Sequence, residues 1–402
     1  MNLFENLGLS RELFEAIKRL GFTEPTQIQE KSIPHIMKGK DVIGESATGS
    51  GKTLAFGSGI VDKVVPGKGI QALVLSPTRE LAEQVKNSIK ELSHRKNLRI
   101  MSVYGGVSIN PQIHDLTNAE VVVATPGRLL DHLNRRTIDL ARIKILVLDE
   151  ADRMLDMGFI DDVEKIIRVC PRTRQTMFFS ATISYEIKRL ADRYLNQPIE
   201  VFTKRYVDPS KLKQVYYDVS KNMKLSLLVH LLREEDTDLV LVFCNTRKTT
   251  DFVVKNLRVN KVNAIAIHGG LSQNKRTNTM KSFNDAKAEI LVCTDVAARG
   301  LHIENVSHVY NYDIPKDPND YVHRIGRTAR AGESGKVINI LCDTDHENFG
   351  RIQNEYRNFF IENVKKPYVE QVKTIRVEDR RRNNKRRFNN QRRGPRRRNF
   401  RR

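Results

Sequence analysis

Nine residues, Glu45-Ser46-Ala47-Thr48-Gly49-Ser50-Gly51-Lys52-Thr53, set two glycines, a lysine and a hydroxyl in a row. They follow a short apolar run at 41–44 and precede the helix-patterned TLAFGSGIVDKVV. Glycines let a backbone pass close to phosphate and aim its N–H groups inward. A lysine there reaches the β and γ phosphates, and a threonine hydroxyl holds Mg²⁺. Ser46 stands where the pattern GxxxxGK[ST] has its first glycine, the one departure from it. A second stretch, KILVLDEAD at 144–152, ends an apolar run in Asp149 and Glu150. Metal-assisted phosphoryl transfer needs such a pair, one carboxylate for the metal shell and one to orient or deprotonate the attacking water. Alone, an acidic pair at a strand end reads as a helix cap. Joined to the glycine-rich turn, it completes a nucleoside triphosphatase site.

Both stretches need parallel strands to hold them. Apolar runs alternate with helix-patterned segments almost throughout: ALVLS (72–76), VVVAT (121–125), ILVLD (145–149), MFFSA (177–181), LVLVF (239–243), AIAIH (264–268) and ILVCT (290–294). Between them lie segments such as RELAEQVKNSIKELS (79–93) and TDFVVKNLRV (250–259). Strands without polar alternation, each followed by a helix, predict an α/β fold of doubly wound parallel sheets covered on both faces. The pattern breaks in the polar segment at 203–211, which contains a proline. The 402 residues therefore divide into a first domain at 1–205, a linker at 206–211, a second domain at 212–362 and a tail at 363–402. In such sheets ligands bind at the carboxyl ends of strands, where both stretches fall.

Charge and composition narrow the class. The formal charge is +21. Residues 380–402 hold 13 Lys or Arg and no acid, leaving +8 for the remainder. So dense a run of like charge, with only Phe388 and Phe400 as large apolar residues, predicts disorder from about 380. Arg, Asn, Gln and Phe suit nucleic acid; the alternative is a solubility tail, which acidic residues would serve better. No apolar run approaches the roughly 18 residues that span a bilayer. The N-terminus has no secretory pattern, and four scattered cysteines fit free thiols in a reducing cytosol. A cytoplasmic protein without a membrane partner is expected.

Further motifs stand in one order along the chain. Asp149-Glu150-Ala151-Asp152 reads DEAD, Ser180-Ala181-Thr182 reads SAT, and residues 323–330 read HRIGRTAR. Residues 21–29 read GFTEPTQIQ, with Phe4 seventeen positions before Gly21. In these motifs the chain resembles the DEAD-box RNA helicases over roughly residues 2–360. The resemblance implies two RecA-like domains that sandwich ATP and Mg²⁺. It assigns Gln27, with Phe22, to the adenine edge and Phe4 to stacking on the ring. Residues 46–53 and Gly300 would hold the nucleotide, with Thr53 and Asp149 on the metal. Lys52, Asp149 and Glu150 would be catalytic, with Arg327 and Arg330 as arginine fingers and His323 supporting them. Asp152, Ser180 and Thr182 would couple ATP state to RNA grip. RNA would meet Pro77, Thr78, Arg79, Gly106, Thr125, Gly127 and Arg128 in the first domain. In the second it would meet Thr246, Arg247, Gly270, Arg276, Thr294 and Asp295. Backbone N–H groups, hydroxyls and Arg suit phosphate and sugar more than base edges, so low sequence specificity follows.

Two positions depart from the family pattern. His302 stands where ARGLD has its aspartate, and Ala329 replaces a glycine between the fingers. The resemblance implies an RNA-dependent ATPase that locally unwinds short duplexes and remodels RNA–protein complexes, as a monomer, with ribosomal or RNA-decay complexes among the expected partners. An ATP-gated RNA clamp or chaperone with little unwinding would use the same residues. A catalytically dead RNA-binding protein is opposed by the presence of Lys52, Thr53, Glu150, Arg327 and Arg330. A DNA helicase is opposed by the glutamine motif and the DEAD tetrad.

Overall fold

The computed structural model describes residues 3–47, 49–203, 212–298, 306–328 and 335–375. Thr48, Gly300, His302, Ala329, Arg330, the linker at 206–211 and the tail from 380 lie outside the described residues.

The first half holds strands β1 (Val42–Glu45), β2 (Ala72–Leu75), β3 (Ile100–Val103), β4 (Val121–Ala124), β5 (Ile145–Asp149), β6 (Gln175–Ser180) and β7 (Ile199–Phe202). They form one sheet in the order β3-β4-β2-β5-β6-β1-β7, and every pairing is parallel. The second half holds β8 (Leu212–Asp218), β9 (Leu239–Phe243), β10 (Ala264–Ile267), β11 (Ile290–Cys293), β12 (Val306–Asn311), β13 (Gly335–Leu341) and β14 (Ile361–Asn363). Its order is β10-β11-β9-β12-β13-β8-β14, also parallel throughout. Counted within each half, the two orders are the same.

The unbroken apolar runs follow from burial on both faces. Along β2, Ala72 and Val74 enter one core cluster while Leu73 and Leu75 enter the opposite one. In the second sheet Val240 and Val242 of β9 face one core and Leu241 and Phe243 the other. Successive strand side chains point to opposite faces, so a sheet covered by helices on both sides has no solvent face on which to place polar residues.

After β1 the chain turns into the helix Lys52–Lys63; after β8 it turns into Lys224–Glu234. A lysine is the first residue of each. Lys224 is buried, its Nζ lies 2.7 Å from Asp345 Oδ2, and it sits over the Tyr312 ring.

The second half continues past the expected end at 362. β14 pairs with β8, and Val364 N–H donates to Tyr216 O. Val369 and Val372 pack on the core. Val372 N–H donates to Ser226 Oγ at 3.1 Å. Asn256, in the helix Arg247–Val259, accepts from Ile375 N–H at 2.7 Å and donates to Ile375 O at 3.1 Å. Though the stretch is mixed in composition, its few apolar side chains and Asn256 hold it as a strap. Among the described residues no helix is long and apolar enough to cross a membrane, and all four cysteines are buried free thiols.

Candidate functional site

The phosphate loop hangs from the carboxyl end of β1. Ser46 N–H donates to Ser180 O at the end of β6, two strands joined in register. Lys52, buried, donates from Nζ to Ser46 O at 3.0 Å, and Ser50 Oγ donates to Ser46 Oγ. Ser46 is thus the inner support of the loop, where its hydroxyl does work a glycine could not. Gly51 has φ +90, and a Cβ there would fall on Gln29 Nε2. Only glycine fits this turn.

The contact at Gly51 comes from Gln29 and not from Gln27. The helix Gln27–Met37 begins at that residue, and Gln27 is exposed. Gln29 is buried and donates from Nε2 to Gly51 O at 3.0 Å, while its Oε1 accepts from Thr26 N–H at 2.9 Å. Thr26 Oγ1 donates to Ser50 O at 2.6 Å. A side chain at the first helical position points outward, whereas one at the third folds back over the N-terminus in a capping box. Gln29, not Gln27, is the glutamine brought to the loop. Phe4 is also displaced from its expected role: it is wholly buried in the core with Leu13, Ile17 and Ile28. Phe22 is the aromatic that is open, at 45% exposure.

Asp149 and Glu150 close the end of β5. Among the described residues, Asp149 Oδ1 and Glu150 Oε2 are buried without a hydrogen-bond partner. Burial pushes the Asp149 carboxyl up to about 7, with nearby Lys52 opposing and Glu150 adding to the rise. Glu150 has φ 53, ψ 54, a left-handed conformation that a non-glycine residue adopts at a cost of about 1–3 kcal/mol. Strain of this kind collects at functional sites. Two unsatisfied carboxylate oxygens held beside a lysine suit a cation. Among the described residues no cluster of three or more metal-ligating side chains exists. Mg²⁺ does not require one, since it keeps waters and shares substrate phosphates.

Asp152 joins the DEAD and SAT segments. Its Oδ2 accepts from Ala181 N–H and Thr182 N–H, both at 3.2 Å, and from Thr182 Oγ1 at 3.4 Å. Ser180 Oγ accepts from Asp152 N–H at 3.1 Å and donates to Thr182 O at 2.7 Å. Ser180 therefore supports Asp152 through its hydroxyl and the phosphate loop through its carbonyl.

Along the same edge, Pro77 and Thr78 are buried and Thr78 Oγ1 caps the helix Arg79–Leu92 by accepting from Leu81 N–H. Gly106 has φ +81, and a Cβ there would fall on the Arg79 guanidinium, so glycine lets that cation lie across the backbone. Thr125 precedes the helix Pro126–Asn134, where Gly127 is exposed. Arg128 donates to Val107 O at 3.0 Å and Gln112 Oε1 at 3.2 Å.

In the second half Thr246 Oγ1 caps its helix by accepting from Thr249 N–H, and Gly270 packs near Arg247. Thr294 is buried and its carbonyl accepts from Ala297 and Ala298 N–H. Asp295 is not presented to a ligand as expected. Its carboxylate receives Arg324 Nε at 2.6 Å and Nη2 at 2.7 Å. An acid at a phosphate surface would repel it; clasped by a buried arginine, it is a structural anion instead. Arg324 also reaches Asn311 Oδ1, Asn245 Oδ1 and Asp313 O, a hub the sequence reading passed over between His323 and Arg327. Breaking a buried pair leaves one charge uncompensated, at about 3–5 kcal/mol. Arg324→Met is expected to lower the unfolding free energy of the second half by that much, read as a lower midpoint in urea; an unchanged midpoint would mean that the hub is redundant.

The two halves meet through groups of both. Arg276 Nη2 lies 3.0 Å from Glu80 Oε2 with both side chains largely buried, and Gln273 Nε2 donates to Glu80 Oε1 at 3.3 Å. Burial lowers the Arg276 pKa, and Glu80 works against that shift. Glu80 was not singled out in the sequence, where an exposed helix-start glutamate looks the same. Nearby, buried Arg327 lines a small void with His323 and Asp320 of the second half and Arg153 of the first, one residue beyond Asp152.

A DEAD/DEAH box helicase family model matches residues 26–190, and a helicase conserved C-terminal domain model matches residues 223–332. The DEAD-box ATP-dependent RNA helicase CshA of Geobacillus kaustophilus (strain HTA426) is 46% identical over 345 residues, covering 85% of this chain and 74% of that protein. The structure of S. cerevisiae Dbp5 bound to RNA and ADP BeF3 is 31% identical, with TM-score 0.84, covering 91% of this chain and 96% of that one. A DEAD box protein from Methanococcus jannaschii is 40% identical, covering 90% and 99%, yet its TM-score is 0.55. The more divergent sequence superposes better.

Proposed function

The chain belongs to the DEAD-box ATP-dependent RNA helicases, and from that premise we propose that it uses ATP hydrolysis to separate short RNA duplexes locally and to remodel RNA–protein complexes. The observation that carries this reading is the buried bridge from Glu80 to Arg276 and Gln273, which ties an RNA-facing segment of each half to the other. RNA held across that junction is held only while the halves are together. The strand ends present backbone N–H groups and arginines, which suit phosphates of any sequence.

Lys52 and the loop amides would hold the β and γ phosphates, with Gln29 fixing the loop through Gly51. Thr53 and Asp149 would hold Mg²⁺, which supplies charge neutralisation when bound. Glu150 would orient or deprotonate the attacking water, and its strained backbone aims the carboxylate. Arg327 would bring guanidinium charge to the γ phosphate as the halves close. Asp152, Ser180 and Thr182 would relay the state of the phosphate loop into the position of the chain after β6. Ribosomal or RNA-decay complexes suit such an activity, and no membrane association is invoked.

A short-duplex unwinding assay tests the reading: strand separation should require ATP and continue with any duplex sequence. Tight ATP-dependent binding without separation would favour the clamp instead. The bridge yields its own expectation. A charged hydrogen bond contributes about 1.5–3 kcal/mol. Arg276→Ala should therefore reduce RNA affinity roughly ten- to a hundredfold in the presence of a non-hydrolysable ATP analogue. RNA affinity without nucleotide should change far less. Equal losses in both states would make Arg276 a plain phosphate contact.

A further inference from the structure

The amino edge of the first sheet, opposite the nucleotide site, bears a cavity of about 410 Å³. It is lined by Lys40 and Asp41 just before β1, Lys144 just before β5, Arg172 and Arg174 just before β6, and Lys63 at the end of the helix Lys52–Lys63. Among the described residues, none of these five cations is in an ion pair. Lys63 Nζ donates to Ile36 O and to Gln175 Oε1, Lys144 Nζ to Gln71 Oε1, and Arg174 Nη1 to the carbonyls of Cys170 and Pro171. All of these acceptors are neutral. Asp41 is the one acid in the lining, and its two oxygens already accept from Thr176 and Asn196 N–H.

Arg174 supplies a second observation. It is 9% exposed, and among the described residues its buried Nε has no hydrogen-bond partner. Buried donors are almost always satisfied, so an orphan in a cavity wall asks for an acceptor. Burial also lowers the pKa of Lys63 and Arg174. Concentrating five like charges in a concavity costs free energy unless an anion offsets it. The volume lies in the range of small-ligand sites.

We propose that this cavity is a second anion site, taking a compact oligophosphate. The site is separated from the phosphate loop by the length of β1, about 13 Å. The lining contains no Phe, Tyr, Trp or His. A single RNA strand draws much of its affinity from bases stacked on such rings, so phosphate groups without a base platform are favoured here.

The test is calorimetric titration of the full chain with inorganic tripolyphosphate, with ADP at saturation to fill the nucleotide site. Lys40→Glu with Arg172→Glu should weaken uptake at least tenfold. Lys365→Glu with Lys366→Glu, the same charge change on exposed positions of the second half, should not. Amine-reactive labelling of the wild-type chain should show Lys40 and Lys144 protected by tripolyphosphate, a readout that needs no variant to fold. Equal affinity in the two charge-reversed proteins, or absence of protection, overturns the proposal. Displacement of tripolyphosphate from Lys40 and Lys144 by short single-stranded RNA also overturns it, in favour of an RNA track. Failure on any of these counts leaves the unwinding activity untouched, because that activity is measured separately.

Discussion

Lys52→Ala is expected to reduce RNA-stimulated ATP turnover by roughly 10²- to 10³-fold or more, the usual cost of removing a preorganised charge from a site where negative charge develops. Lys52 is buried at the first turn of its helix, and among the described residues its Nζ bonds only the Ser46 carbonyl. Its removal costs the folded protein one neutral-acceptor hydrogen bond to a charged donor, about 1.5–3 kcal/mol, which a two-domain protein survives. The loss should therefore appear in turnover with the thermal transition largely kept. It should extend to ATP affinity, since the amine holds phosphate before as well as during reaction. Steady-state ATPase equal to wild type would remove the loop from the active site.

Arg327→Ala is expected to cost more, about 10³- to 10⁵-fold in kcat, while ATP binding changes little. The reason is geometric. Arg327 belongs to the second half and lines its void beside Arg153, so it would reach a nucleotide on the phosphate loop only with the halves together. A group that acts only in that state contributes to the transition state and not to initial binding. Arg327→Lys should not rescue, because a point charge cannot reproduce the planar fork. Single-turnover hydrolysis with separately measured ATP affinity decides. A parallel loss in both would make Arg327 a binding residue rather than a finger.

The strands were legible where both faces are covered. Runs such as 145–149 and 239–243 coincide with β5 and β9 because no polar residue is tolerated inside them. β3, β7, β8, β12, β13 and β14 were not singled out, being short, near an edge or interrupted by polar residues such as Lys213, His308, Asn339 and Glu362. The phosphate loop and the acidic strand end could be read because their chemistry demands particular residues in a row. Gln29 could not be separated from Gln27 by residue type. Only the turn of the helix distinguishes a side chain that folds back from one that points out. Phe4 failed for the converse reason: an aromatic near a ligand motif serves a core equally well, and burial decides. Arg324 and Glu80 depend on partners 29 and 196 positions away, which no local pattern records.

The matching strand orders make the two halves variants of one architectural plan, yet Lys52 and Lys224 have diverged in fate. In the first half, among the described residues, the lysine donates to a backbone carbonyl. In the second, Asp345 occupies the lysine at 2.7 Å. A carboxylate built into the chain already pairs the lysine of that half. The second half is thus a self-quenched copy: it retains the shape of a nucleotide fold but carries its own permanent counter-ion. A stroke that depends on the arrival and departure of one anion cannot be confused by a second anion entering the mirror position. The asymmetry leaves the two lysines in different surroundings, one against a backbone carbonyl and one against a carboxylate.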